Sequence, residues 1–380
     1  MPKKKILVWE TLSTVSGGQK MTLMVMDLLH NQYDFLCLIP AKGLLSDELD
    51  KKQIPYILLG DMTLPTGVKG INAYLHYTWM SAKCIVRSLR AIRKYKPDIL
   101  YAPGPAALPW SAVCGTLMRK PVVWHLHHMF LDGPTKKLLN ICSKWKAIKR
   151  IIAVSRCVGE QVTAPSALPK IEVLYNPVDV TRYSSGIGQR FLDSVQTQYG
   201  VPLINRILIG HIALVQRSKQ QSFVLEVIRK LREHSIDAVG LFAGEVREHD
   251  YEDELRQQIK EYGLEKATVL LGRREDIPDM LKALTVLMIP SSFEGFPLAG
   301  VEAAAAGTPV VACDVAGARE YIEVSKAGTF FRENDIEYAV SAVLSTIEQA
   351  EVFARNGHNF AESASLPEYC RNLKSVFDTV

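Results

Sequence analysis

Residues 290–320 read PSSFEGFPLAGVEAAAAGTPVVACDVAGARE. An apolar run, Val286–Ile289, leads into it, and a second, Pro309–Ala312, lies in its second half. Between them come a turn with Gly295 and Pro297 and the Ala-rich run Glu302–Ala306, a strong helix former. Pro297 suits the first helical turn, where a missing N–H costs little. Gly307 followed by Pro309 ends the helix. The pattern is strand, loop, helix, strand, with an open helix N-terminus at the carboxyl end of a strand. Ligands of open α/β sheets sit there, and the free N–H groups with the positive end of the helix dipole favour a phosphate.

Two carboxylates flank that place. Glu294 lies in the loop and Glu302 eight positions later, inside the helix. Eight residues of helix rise about 12 Å, too far for the two to share a proton. They suit instead the two ends of one extended ligand. Glu302 can accept from a ribose diol, as the acidic residue of dinucleotide folds does, and Glu294 can grip hydroxyls at the other end. With a phosphate between them, the ligand is a nucleotide sugar.

The order Pro-Ser-x-x-Glu-Gly-Phe-Pro-Leu, then Glu-Ala, then Gly-x-Pro-Val-Val, resembles the retaining glycosyltransferases of family 4, which have the GT-B architecture. The likeness runs on to Gly317 and Glu320, with Ala316 where the family usually has the first Gly of Gly-Gly-x-x-Glu. It implies an α/β fold of two Rossmann-like, doubly wound parallel-sheet domains facing a cleft, with a C-terminal helix crossing back to the first. The divisions expected are 1–180 on the acceptor side, 181–365 for the nucleotide sugar, and 366–380 for the returning helix. Closure of such domains excludes water from the donor.

The rest of the chain fits this frame. Its 380 residues suit two or three domains, and a 48% hydrophobic content is enough for sizeable cores. Strands and helices alternate from Ile6–Trp9 onward, the pattern of a parallel sheet covered on both faces. The net charge of +5 divides unevenly. Residues 1–180 carry 24 Lys and Arg against 12 Asp and Glu, and the remainder 21 against 28. A basic half suits anionic lipid, a phosphorylated acceptor or nucleic acid. Without zinc spacing, aromatic RNA-binding motif or long basic tail, no nucleic-acid partner is expected. Residues 134–150, PTKKLLNICSKWKAIKR, read as an amphipathic basic stretch, and Arg87, Arg90, Arg93, Lys94 and Lys96 as a second basic helix. Either alone reads as a solvated helix face; together they suggest peripheral contact with an anionic membrane. Seven scattered cysteines without a CxxC pair read as the reduced thiols of a cytosolic protein. The short run Ile6–Trp9 is a first strand rather than a signal peptide, and no apolar run approaches the roughly 18–20 residues of a spanning helix. The expected location is cytoplasmic, at the inner face of the membrane.

Candidate site residues come from four further places. Ser16-Gly17-Gly18-Gln19 ends a loop before a helix expected over Lys20–His30; Gly17 and Gly18 permit close backbone approach to a phosphate. No third Gly completes G-x-G-x-x-G, which disfavours a nicotinamide dehydrogenase. In Trp124–Met129, WHLHHM, the resemblance puts His127 beside the sugar and His128 where the family has Asp; by alternation His125 shares a face with His127. After the strand Ile207–Ala213 the family carries Arg and, five positions on, Lys, both on the donor diphosphate. Lys219 takes the Lys position, Leu214 stands at the Arg position, and Arg217 is placed to substitute. Asn176-Pro177-Val178-Asp179 resembles the family's Asn-Gly-Val-Asp and marks the crossover between halves.

The mechanism implied is stabilisation of the leaving diphosphate by Lys219 and Arg217 with Gly295, Phe296, Pro297 and Leu298. Glu294 then holds the hexose, Glu302 the ribose, His127 the far side of the sugar, and Arg273 the base. Gly17 and Gly18 face the diphosphate. Hexosyl transfer from a UDP-sugar, retaining and metal-independent, to a glycan or lipid-linked acceptor of bacterial envelope or extracellular polysaccharide follows from the resemblance. No cofactor is expected beyond the nucleotide-sugar co-substrate. A non-catalytic GT-B partner subunit and a GT-B nucleotide-sugar 2-epimerase are the alternatives.

Overall fold

The structure, a computed structural model, describes residues 3–60, 71–130 and 133–380. The chain forms two compact units, Met1–Tyr175 with Tyr369–Val380, and Asn176–Glu368.

Among the described residues the first unit has seven strands, all parallel: β1 (Lys4–Trp9), β2 (Tyr33–Ile39), β3 (Tyr56–Leu58), β4 (Ile99–Ala102), β5 (Val122–Leu126), β6 (Ile148–Ala153) and β7 (Ile171–Val173). Their order is β3-β2-β1-β4-β5-β6-β7. The chain therefore winds outward from β1, then returns to β1's other side at β4. The second unit has six parallel strands: β8 (Ile207–Ile212), β9 (Ala238–Ala243), β10 (Thr268–Gly272), β11 (Val286–Ile289), β12 (Val310–Cys313) and β13 (Gly328–Phe331). Their order, β10-β9-β8-β11-β12-β13, reverses in the same way between β8 and β11. Central strands such as AVGLFA and VLMI are buried along their whole length and apolar throughout, as strands covered on both faces must be.

Two local readings are corrected. The helix expected from Lys20 starts at Gly17, because Gln19 Oε1 accepts from the Ser16 N–H (3.3 Å) and hydroxyl (2.6 Å) and organises a turn earlier. Residues 134–150 are not one amphipathic element: the helix ends at Ser143 and β6 begins at Ile148. After β13 the chain forms two successive helices, Ile336–Glu348 and Ala350–Ser363. Strand β13, preceded by Lys326 in the left-handed region, was not legible as a strand in the short run GTFF.

The last helix, Leu366–Asp378, is held in the first unit by its second half. Phe377 is fully buried, 5.8 Å from the Tyr33 ring and 5.7 Å from Tyr101, and Tyr33 donates to Asp378 at 3.2 Å. The second unit begins at Asn176, ahead of the expected residue 181. Val178 bonds to Ala364 and Leu366 through its N–H and carbonyl, and Asn176 Nδ2 donates to the Phe296 carbonyl at 3.0 Å.

Candidate active site

In the second unit the topological switch lies between β8 and β11, so the loops leaving those strands meet at one place. They do so through charge. A short turn, Arg217–Lys219, carries the ammonium of Lys219 to 2.6 Å from Glu294 Oε1 in the loop after β11. Both side chains are largely covered, at 24% and 15% exposure. A cation and a carboxylate predicted separately are thus brought together.

The Glu294 loop is held from behind. The Gly317 N–H donates to the Glu294 carbonyl at 3.2 Å. A Cβ on Gly317 would stand 2.2 Å from the Gly295 oxygen and 2.4 Å from that of Glu294, so only glycine fits. Phe296 is buried edge-on against Tyr321, whose hydroxyl donates to the Gly300 carbonyl at 2.6 Å. Pro297 is the N-cap rather than the first helical residue: the N–H groups of Gly300 and Val301 donate to its carbonyl, and the helix runs Leu298–Ala306. Its Ala-rich inner face is buried, and Gly307 closes it at φ +78°. Glu302 lies one turn in, where Tyr183 donates to Oε1 at 2.6 Å. Burial, then the Glu302 charge, raises the Tyr183 pKa, so this hydroxyl stays a donor. Tyr183→Phe is expected to raise the donor KM several-fold with kcat unchanged, because it removes a hydrogen bond that orients Glu302. Steady-state kinetics check this.

The β8 loop depends on a second glycine. A Cβ on Gly244, just past β9, would lie 1.7 Å from the Ala213 carbonyl oxygen. Gly244→Ala is expected to displace the loop that carries Lys219 and to destabilise the protein by about 1–3 kcal/mol, read by denaturant unfolding.

Arg217 and Arg273 are not gathered here. The Arg217 guanidinium binds Asp250 (2.9 Å) and Glu254 (2.7 Å) and lies over the Tyr251 ring. Exposed Arg273 pairs with Glu275 at 3.0 Å, just after Gly272 at φ +64°. Leu214, at the family's Arg position, gives its carbonyl to Gln221 Nε2 at 2.9 Å.

His211 was missed. It is buried at the end of β8, and because its Nδ1 faces the Met288 carbonyl at 3.0 Å, which can only accept, Nδ1 carries the proton. Its Nε2 is buried without a partner. Burial pushes the pKa down to about 4; Met288 and Glu294 oppose the shift and Lys219 adds to it. A histidine inside an apolar strand, ILIGHI, was the available signal. A folded-state pKa below the usual 6.5 means the unfolded chain binds more protons between those values. Stability from His211 is complete above about 6.5 and lost as pH falls toward 4. The melting temperature is expected to drop over that window, less steeply in His211→Gln.

In the first unit the equivalent switch lies between β1 and β4. A Cβ on Gly104, after β4, would meet the Thr11 hydroxyl at 3.0 Å, so the two loops touch. Glu10, at the end of β1, is buried and was also missed. Its carboxylate accepts from Gln19 Nε2 at 2.8 Å and from the Thr22 hydroxyl, fixing the helix that opens with Gly17 and Gly18. Burial raises its pKa against those bonds. After β4 and β5, Pro103, Pro105, Leu108, His125, His127 and His128, among others, line a shallow crevice too narrow to hold a water molecule. The His125 and His127 rings stand 4.0 Å apart, and Tyr101 O–H lies 2.6 Å from His125 Nδ1. Burial lowers both pKa values, that of His125 to about 3, so both rings are neutral near pH 7.

The family described as Glycosyl transferases group 1 matches residues 203–363, and that described as Glycosyltransferase Family 4 matches residues 59–182. A similar curated protein is the UDP-Gal:alpha-D-GlcNAc-diphosphoundecaprenol alpha-1,3-galactosyltransferase of Escherichia coli, 25% identical over 90% of this chain and 87% of its own. The lipopolysaccharide core biosynthesis mannosyltransferase LpsB of Rhizobium meliloti is 28% identical over 34% of this chain and 39% of its own. Among solved structures, Anabaena Alr3699/HepE in complex with UDP superposes with a TM-score of 0.83 at 20% identity, covering 99% of this chain and all of that one. At that identity the likeness concerns the fold. The two family matches together span well over half of the sequence, and the first contains the β8/β11 switch: the chain belongs to the family 4 glycosyltransferases and has the GT-B fold.

Proposed function

We propose that this glycosyltransferase moves a hexose from a UDP-sugar to a glycan or lipid-linked acceptor, with retention and without a metal. The setting proposed is bacterial envelope or extracellular polysaccharide synthesis, at the cytoplasmic face of the membrane. The Lys219–Glu294 pair at the β8/β11 switch carries the reading. As the bond from sugar C1 to the diphosphate oxygen breaks, negative charge collects on that oxygen. A fixed ammonium and the start of the helix Leu298–Ala306 stabilise it there, and as the acceptor hydroxyl oxygen bonds to C1 its proton passes to the departing diphosphate. In the resting protein Glu294 occupies Lys219; with donor bound, the phosphate takes the ammonium and Glu294 takes sugar hydroxyls. Glu302 reads the ribose. His127 and the glycines Gly17 and Gly18 serve the donor and acceptor from the first unit, and His127 does so as a neutral ring.

The choice of UDP draws on relatives: the Anabaena protein was crystallised with UDP and with UDP-glucose, and the E. coli protein is named for UDP-Gal and a diphosphoundecaprenol-linked sugar. The test is incubation of purified protein with UDP-hexoses and a polyprenyl-diphosphate GlcNAc, product being read by mass spectrometry and its anomer by NMR. Product from one UDP-sugar, retained in configuration and undiminished by EDTA, is expected. Epimerised sugar nucleotide without acceptor would favour the epimerase, and UDP binding without any turnover the non-catalytic subunit.

A further inference from the structure

The 25-residue helix Ile71–Tyr95 has two sharply different faces. Its inner face is anchored: Met80, Cys84, Ser88, Ala91 and Ile92 are buried, Trp9 Nε1 donates to Ser88 Oγ at 2.9 Å, and Trp110 Nε1 donates to Ser81 Oγ at 2.7 Å. At helical spacing on the opposite side lie His76, Trp79, Lys83, Val86, Arg90 and Arg93, all exposed, within about 100° of arc. Trp79 is 59% exposed and Val86 48%, with the Lys83 ammonium over the Trp79 ring at 3.3 Å. The helix holds five Lys and Arg and no Asp or Glu. Arg87 donates to the Leu59 carbonyl and ties the helix to the end of edge strand β3, whose Ile57 and Leu58 are exposed as well.

Exposed apolar side chains are ordinary one at a time, but a stripe in which they alternate with cations marks an interaction surface. An aromatic residue flanked by cations at one level is what the boundary of an anionic bilayer accepts: the ring enters the headgroup region and the cations meet lipid phosphates. A soluble acidic partner would match the charge and leave Trp79 and Val86 without a counterpart. Among the described residues no helix is long and apolar enough to cross a membrane, so this one would lie in the plane. We infer that the outer face of the helix Ile71–Tyr95 docks on an anionic lipid surface, with Trp79 as its interfacial anchor. The inference rests on the proposed lipid-linked acceptor only for its purpose; the surface is defined without it. It also singles out one of the two basic regions, since residues 134–150 present no continuous helical face.

The experiment is flotation of the full chain with phosphatidylglycerol/phosphatidylcholine vesicles and with phosphatidylcholine alone, with and without bromine-labelled lipid. Of the chain's five tryptophans, Trp9, Trp110 and Trp124 are fully buried and Trp145 is partly covered, so bromine quenching reads Trp79. Expected are binding to anionic vesicles only, weakening with salt, quenching on binding, and partitioning roughly thirtyfold weaker in Arg90→Gln/Arg93→Gln. The same variant should keep the wild-type melting temperature and UDP-induced thermal shift, which separates failure of docking from failure of the donor reading. Equal binding to neutral vesicles, binding without quenching, or unchanged partitioning of the double variant would overturn the inference. Retention on heparin without vesicle binding would overturn it in favour of a soluble polyanion.

Discussion

Lys219→Ala is expected to lower kcat by about 10²–10³ with the melting temperature nearly unchanged. The size follows from how little else the loop offers the leaving diphosphate. The family's Arg position is Leu214, and Arg217 is engaged by Asp250 and Glu254 on the far side of the turn. Lys219 is the loop's cation that meets Glu294. Glu294→Ala should fall by a similar factor, because the sugar then loses its grip as charge develops. The pair is coupled in stability but only partly buried. Its coupling in a double-mutant cycle is expected at about 1 kcal/mol or less, while each single variant loses most of its turnover. Arg217→Ala is the contrast and should change kcat by less than about threefold. A loss matching that of Lys219→Ala would mean that Arg217 leaves the acidic helix when donor binds. Pre-steady-state measurement of the chemical step reads all three.

Gly317→Ala is the second large effect, and here structure and turnover fail together. The new methyl would meet two carbonyl oxygens at 2.2 and 2.4 Å. Neither is the end of a flexible side chain that can rotate away. The Glu294 loop must therefore lift from the helix Ala316–Ser325, and the Gly317 N–H bond to the Glu294 carbonyl is lost with it. About 1–3 kcal/mol of destabilisation is expected from the clash. A misplaced Glu294 adds a loss of turnover on the order of 10²-fold. Ala316→Gly, restoring the family's usual residue one position earlier, should leave both nearly as they are. Thermal unfolding and kinetics on the two variants distinguish a specific clash from general sensitivity of the helix start.

The legible parts of the molecule were those encoded locally. The Ala-rich helix between Pro297 and Gly307 and the buried runs on either side are set by propensity and punctuation, and they appear within a residue of expectation. The α/β alternation shows in the sequence because each central strand is an unbroken apolar run. Pairings across long chain separations were not readable. Lys219 meeting Glu294, Tyr183 meeting Glu302 and Asn176 holding Phe296 follow from strand order, which no local pattern states. Arg217 went elsewhere because the acidic side chains of the helix His249–Glu261 come within reach only after folding. Glu10 and His211 escaped notice for a related reason. A single polar residue at the end of an apolar strand looks like a strand terminus until the fold buries it at a switch point.

A nucleoside diphosphate is expected at the β8/β11 switch, between Lys219 and Glu302. Calorimetric titration of UDP into wild type, Lys219→Ala and Glu302→Ala, with NAD as control, tests it most directly. Expected is binding of UDP to wild type, weakened at least tenfold in each variant, with no response to NAD. Undiminished UDP affinity in both variants, or a response to NAD alone, would contradict it.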